Sequence, residues 1–255
     1  MLKNENKKVT ILLRGQHYQD KKTPFTTGKW NGSFFDIQKN FQKMILNPLK
    51  KYNPKIYIST WQSPIAHKLK KYSFNIKIHE LKYFDKTGYK QANIILNGLN
   101  LIPNNQNDLI LILRFDLLWK KPITEWFPFK KNFDICFPWK GHDGQPDPKL
   151  LWDCCEQTGD YFWGIQNKNN NLKRFKIAIK NSLEDQLKRG YPYNNLHEIY
   201  SFLKDLKCIF AIKGFYPSTS CSRYSTNPIF INYNRPYHFK DININELIDK
   251  NIKLF

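Results

Sequence analysis

An arginine and an aspartate two residues apart, Arg114 and Asp116, stand at the end of an apolar run and are the pair in this chain best placed to do chemistry. The run Leu109-Ile110-Leu111-Ile112-Leu113 reads as a strand buried on both faces. Water does not reach the middle of such a strand, so charges at its end mark a mouth. In open α/β sheets the crevice outside the carboxyl ends of the strands is where ligands bind. Arg114 and Asp116 alternate around Phe115 and share a face if the backbone stays extended. A cation beside a carboxylate suits a phosphate, a metal ion or a sugar hydroxyl. The plainer alternative is an Arg–Asp pair at an exposed sheet edge; burial on one side favours the cleft.

The elements that must position this pair alternate along the first half of the chain. Val9–Leu13 is a short apolar strand closed by Arg14, Gly15 and Gln16. Apolar residues recur at helical spacing from Phe34 to Tyr52, and a second strand, Lys55–Trp61, starts after Pro54. A short helix over 64–72, a strand over 75–79 and a helix over 89–101 precede the buried run. This βαβαβαβ order implies an α/β fold with a mixed, mostly parallel central sheet flanked by helices. The second half is less regular. A strand is expected over 133–139, an exposed Gly/Pro-rich loop over 140–148 and a short helix over 149–155. An asparagine-rich turn at 167–171, helices over 175–188 and 195–206, and strands over 207–213 and 229–233 complete the pattern. No repeat and no long linker divides the chain, so 1–255 reads as one domain, with a ligand-binding half over about 8–125 and a second half over about 126–255.

Composition narrows the classes less than it first suggests. The chain has 41 Lys+Arg against 21 Asp+Glu, a formal charge of +20. That excess points toward nucleic acid or an anionic membrane surface. Lysine, asparagine and isoleucine are abundant together, and no block of five basic residues occurs, so solvated lysine faces are the simpler account. Five cysteines, an odd number without CxxC spacing, fit free thiols in a reducing compartment. No apolar run reaches transmembrane length. A soluble cytoplasmic protein (host cytoplasm if the chain is viral) is the expectation, with peripheral membrane contact left open.

Several stretches resemble a family of nucleotide-sugar glycosyltransferases of GT-A type, Rossmann-like in fold, with members in bacterial surface-polysaccharide clusters and large DNA viruses. Leu13-Arg14-Gly15-Gln16 resembles the small turn that opens such enzymes, and Ser59-Thr60-Trp61 resembles their second strand end. Arg114-Phe115-Asp116-Leu117 is similar to their Arg-x-Asp-Leu signature, with Lys121-Pro122-Ile123 following. Gly159-Asp160-Tyr161-Phe162-Trp163-Gly164 resembles an Asn-Asp-x-Phe-x-x-Gly stretch. The segments Leu196–Tyr200 and Asn227–Phe230 also have counterparts. The family more commonly carries Asp-x-Asp to hold Mn²⁺ or Mg²⁺. Here Arg114 replaces the first carboxylate, so Asp116 would hold a cation with the substrate diphosphate, or Arg114 would neutralise the diphosphate itself.

The resemblance implies a hexosyl- or pentosyltransferase that moves a sugar from a nucleotide-diphosphate donor to a glycan acceptor. Arg14, Gly15, Thr60, Trp61, Arg114 and Asp116 would then contact the donor, Asp116 any metal, and Trp163, His142 and Asp143 the acceptor. Negative charge growing on the leaving diphosphate needs electrostatic stabilisation, for which Arg14 and Arg114 are the candidates. An inverting displacement needs a carboxylate base. Asp160 is the first candidate, because Tyr161, Phe162 and Trp163 would surround it with apolar walls; a helix-capping role is its alternative. Asp143, Asp147 and Asp153 are reserves. Two other classes compete. A nucleic-acid-binding protein or nuclease would use the charge and the aromatics, but no recognition motif or convergent acidic set is present, and no specific nucleic acid is expected. A non-catalytic glycan-binding relative would explain the missing aspartate.

Overall fold

The computed structural model describes residues 8–15, 17–19, 32–79, 90–104, 108–140, 158–189, 196–212 and 229–232. In chain order the strands are β1 (Val9–Gly15), β2 (Tyr18–Gln19), β3 (Gly32–Ser33), β4 (Lys55–Trp61), β5 (Asn75–His79), β6 (Leu109–Arg114), β7 (Leu117–Trp119), β8 (Ile135–Phe137), β9 (Phe162–Gln166), β10 (Cys208–Phe210) and β11 (Phe230–Asn232). Seven of them form one sheet in the order β10-β8-β9-β6-β1-β4-β5. β1 runs parallel to both β4 and β6, whereas β9 is antiparallel to both β6 and β8. The sheet is therefore mixed and mostly parallel, as the order of elements implies. β7 and β11 pair separately, as do β2 and β3.

Strand alternation divides the core between the two faces of the sheet. Val9, Ile11 and Leu13 of β1, with Leu109, Leu111 and Leu113 of β6, pack under the helix Phe34–Phe41 and its continuation. Leu12, Ile110 and Ile112 face the helices Lys90–Leu101 and Asn171–Lys188. Each such Leu or Ile contributes roughly 1.5–3 kcal/mol by leaving water, so these two strands anchor everything else. Arg14 and Arg114 have the parity of Leu12 and Ile112.

Several elements differ from the sequence-based expectation for identifiable reasons. The helix from Phe34 does not stay α-helical to Tyr52. Residues Gln42–Leu46 open into a π turn before Pro48, and Lys50–Tyr52 close as a 3₁₀ turn. Proline lacks an N–H and crowds the carbonyl four residues back, and the wider turn relieves both. Residues Ala66–Tyr72 are likewise 3₁₀. The helix expected from Phe175 starts at Asn171, after Asn169 and Asn170 take positive φ. Asn171 Nδ2 donates to the Gln166 carbonyl at 2.9 Å and Asp134 Oδ1 at 3.0 Å, which fixes that start. The helix expected over 195–206 is a 3₁₀ turn, Leu196–Phe202. The loop at 141–148 and the helix at 149–155 lie outside the described residues.

Candidate functional site

Going from β1 the chain moves outward through β4 and β5, then returns to place β6 on the opposite side of β1. The carboxyl ends of β1 and β6 therefore form a topological switch point, where the connecting loops diverge and leave a crevice. In the sheet register Arg14 lies directly beside Arg114. Two adjacent buried cations need compensation, and the antiparallel strand β9 delivers it. Its first residue, Phe162, pairs with Leu113, so Asp160 arrives at the same end of the sheet.

The result is a network of two arginines and two aspartates. Arg114 grips Asp116 with Nε donating to Oδ1 at 2.8 Å and Nη2 donating to Oδ2. Its Nη1 lies 3.5 Å from Asp160 Oδ1, and its guanidinium carbon lies 4.8 Å from the centre of the Tyr161 ring. Arg14 Nη2 donates to the Asp160 carbonyl and lies 3.8 Å from Asp160 Oδ2. Arg14 Nε hydrogen-bonds to nothing among the described residues. Burial lowers the Arg14 pKa to about 10; the Asp160 charge opposes that shift and Arg114 adds to it. Burial also opposes the charge on Arg114, but the Asp116 charge and hydrogen bonds, with Asp160, outweigh it and hold Arg114 well above the usual arginine range.

A second cluster secures the neighbouring strand ends. Gly15 has φ +97°, so the turn favours glycine, and among the described residues a Cβ built there would meet nothing within 4 Å. Thr60, opposite Gly15 in register, donates its hydroxyl to the Gly15 carbonyl at 2.7 Å. With that hydrogen committed, Thr60 Oγ1 must accept from His17 Nδ1, 2.6 Å away. In the neutral ring Nε2 then accepts from Ser63 Oγ at 2.7 Å. Burial pushes the His17 pKa down to about 4, in keeping with a neutral imidazole. Sequence reading passed over His17 and Ser63; only the register of β1 on β4 brings them together.

Two expected roles change. Trp163 is fully buried, opposite Ile112 in register and 5.5 Å from the Phe175 ring, so it cannot touch an acceptor. It instead forms a floor beneath Arg14, whose guanidinium carbon lies 5.2 Å from its centroid. Asp160 is buried as expected, but guanidinium groups flank it where apolar walls were anticipated. Its carboxylate is engaged with Arg14 and Arg114 in the network described above. Thr60 is buried and committed to Gly15 and His17, whereas Trp61 is half-buried at the end of β4. His142, Asp143, Asp147 and Asp153 lie outside the described residues.

Asp116 and Asp160 are both ion-paired, and among the described residues no group of three His, Cys, Asp or Glu could hold a metal ion. Among the described residues no helix is long and apolar enough to cross a membrane.

No protein-family model matches the chain, and no curated protein matches it. Solved structures do. A nucleoside-diphosphate-sugar pyrophosphorylase from Vibrio cholerae RC9 superposes with a TM-score of 0.50 at 12% identity, over 91% of this chain and 98% of the other. A protein described as a nucleotide-diphospho-sugar transferase, from Desulfovibrio desulfuricans G20, also gives 0.50 at 10% identity, over 87% and 88%. With a mostly parallel seven-stranded sheet and near-complete coverage of both neighbours, the chain has the GT-A-like fold of the nucleotide-diphospho-sugar transferases.

Proposed function

We propose that this protein is a glycosyltransferase that moves a sugar from a nucleotide-diphosphate donor to a carbohydrate acceptor. The observation that carries the reading is the in-register pair Arg14 and Arg114 at the switch point, next to Gly15. A diphosphate entering there meets two guanidinium groups on adjacent strands, with Trp61 at the next strand end for a base or ribose. The carboxylates of Asp116 and Asp160 orient these groups beforehand, so little reorganisation accompanies the reaction.

In an inverting displacement the bond from the anomeric carbon to the diphosphate oxygen breaks as the acceptor oxygen bonds to the opposite face. The acceptor hydroxyl loses its proton to a base. Asp160 is the described carboxylate nearest this role by position, but its cationic neighbours suit it better to holding Arg14 and Arg114. We assign it that positioning role and place the base among the reserve carboxylates, Asp143 first, with His142 beside it on the acceptor side. No step is routed through a metal; Mn²⁺ or Mg²⁺ would enter only with the diphosphate, shared with Asp116.

A thermal-shift panel of UDP, GDP, CMP and dTDP, with and without Mn²⁺, tests the donor site. Ligand at about 100 times its Kd stabilises the folded state by about 2.7 kcal/mol. One nucleotide should raise the melting temperature of the wild type and not of Asp116→Ala. Dependence on Mn²⁺ would bring the cation into the site with the diphosphate. Silence across the whole panel would sink the proposal. Incubating the corresponding nucleotide sugar with acceptors should then release nucleoside diphosphate; release of sugar 1-phosphate instead, with nucleoside triphosphate formed when pyrophosphate is added, would mean nucleotidyl transfer.

A further inference from the structure

We infer that the layer built by residues 32–79 docks on an anionic lipid membrane surface. The inference rests on charge placement alone and is independent of the donor-site reading. This stretch holds nine lysines, no arginine and a single acid, Asp36. All nine lysines are exposed. A compositional preference for lysine explains their number but not the near absence of acids, which occur elsewhere on the surface. The outward side of the helix Asn171–Lys188 shows the contrast, with Arg174 paired to Asp205, and Arg189 to Asp185 and Glu198.

The lysines come from one face and one edge of the sheet. Lys39, Lys43 and Lys50 fall four and seven residues apart along the outer side of the helix that starts at Phe34. The 3₁₀ segment Ala66–Tyr72 lies against it, with the Tyr72 ring 5.9 Å from Phe34 and its hydroxyl donating to Gln38. That segment adds Lys68, Lys70 and Lys71. Lys71 Nζ sits 4.8 Å from the Tyr72 ring and 5.8 Å from the Phe35 ring, above the seam between the two. At the sheet edge Lys77 of β5 and Lys55 of β4 have the parity of Ser59 and Tyr57 and turn toward the other face, where Lys55 Nζ lies 4.7 Å from the ring of Phe74 and that ring 5.6 Å from Tyr57, so they flank the surface and are not part of it.

One feature favours lipid over nucleic acid. Lysine without arginine gives mobile point charges suited to a diffuse headgroup layer, and lacks the rigid forks that grip phosphates bidentately. The helix begins beside the candidate site, where Phe34 N donates to the His17 carbonyl at 2.7 Å. The docked face therefore runs alongside that mouth and does not cover it.

Vesicle flotation of the full chain tests this. The protein should float with phosphatidylserine–phosphatidylcholine vesicles, stay unbound to phosphatidylcholine alone, and dissociate as salt rises. A lysine near such a surface contributes about fivefold in partitioning, so Lys39→Gln with Lys71→Gln should weaken binding by roughly 25-fold. Lys173→Gln with Lys180→Gln removes the same charge from the opposite layer and should change binding less than about twofold. Equal losses in the two pairs would overturn the assignment of the face. Failure to float with acidic vesicles would overturn the proposal outright, as would failure combined with salt-sensitive binding to a random RNA oligomer.

Discussion

β1 and β6 each carry an arginine near the carboxyl end, side by side in register, yet the two are held in opposite ways. Arg114 is secured locally: the chain turns through Phe115 and brings back Asp116, two residues on, to accept from Nε and Nη2. Arg14 is secured from a distance, by a backbone carbonyl 146 residues away in sequence and by the face of Trp163. The exit from β1 then depends on Gly15 in a left-handed conformation and on the chain from Ser63 through His17 to Thr60. One cation is built into its own strand end, and the other is kept in place by the tertiary structure with Nε left over. Arg14 thus keeps an unmade hydrogen bond although its side chain is 1% exposed, whereas Arg114, the more exposed of the two at 15%, is committed to a carboxylate.

The largest effect should come from the local pair. Arg114→Met removes the only cation bonded to Asp116 among the described residues and leaves that carboxylate buried. Breaking a buried pair from one side costs about 3–5 kcal/mol, which urea denaturation would read directly. A loss under about 1 kcal/mol would mean that Asp116 finds water or another donor, and the distinction between the two strand ends would collapse.

The exit of β1 gives the next largest effect. His17 has its pKa held near 4 by burial, against the usual 6.5, so the unfolded chain binds the extra proton first as pH falls. Stability is therefore unaffected above about 6.5, declines between 6.5 and 4, and is lower by at most about 3 kcal/mol below that window. Denaturation curves across these pH values should show that slope in the wild type and a reduced one in His17→Gln. An unchanged slope in the variant would assign the acid sensitivity to other groups.

The sequence disclosed the strand ends far better than their surroundings. Apolar runs, broken in β1 only by Thr10, identify β1 and β6, because a strand covered on both faces tolerates little else. Strand parity then places Arg14 and Arg114 on one face at the mouth. The sequence puts Asp160 forward as a candidate base among apolar neighbours, with a helix cap as its alternative, and the structure shows it buried. Its cationic neighbours were not visible, since they depend on β9 running antiparallel to β6, a pairing between distant segments. Trp163 misled for a related reason: an aromatic beside a strand end suits stacking or core equally, and only the pairing with Ile112 turns it inward. The π turn could have been anticipated from Pro48, which lies within an otherwise regular helical pattern.

Gly15→Ala should cost about 1–2 kcal/mol, the ordinary strain of an L-residue at positive φ. No clash with the described residues adds to it. A larger loss in a denaturation series would mean that something packs over the turn. The same variant should weaken nucleotide binding if the diphosphate approaches the backbone there.

Arg14→Met should have the smallest effect on stability and a large one on binding. Asp160 keeps Arg114 at 3.5 Å, so no carboxylate is abandoned. A methionine would fill the space above Trp163 without an orphaned Nε. Replacing a poorly satisfied buried charge by an apolar side chain is often neutral or stabilising, and the change should stay within about 1 kcal/mol. The nucleotide-induced thermal shift should vanish in the same protein. If the variant instead unfolds as readily as Arg114→Met, Arg14 is a structural counterion for Asp160. The diphosphate would then have to be bound by Arg114 alone.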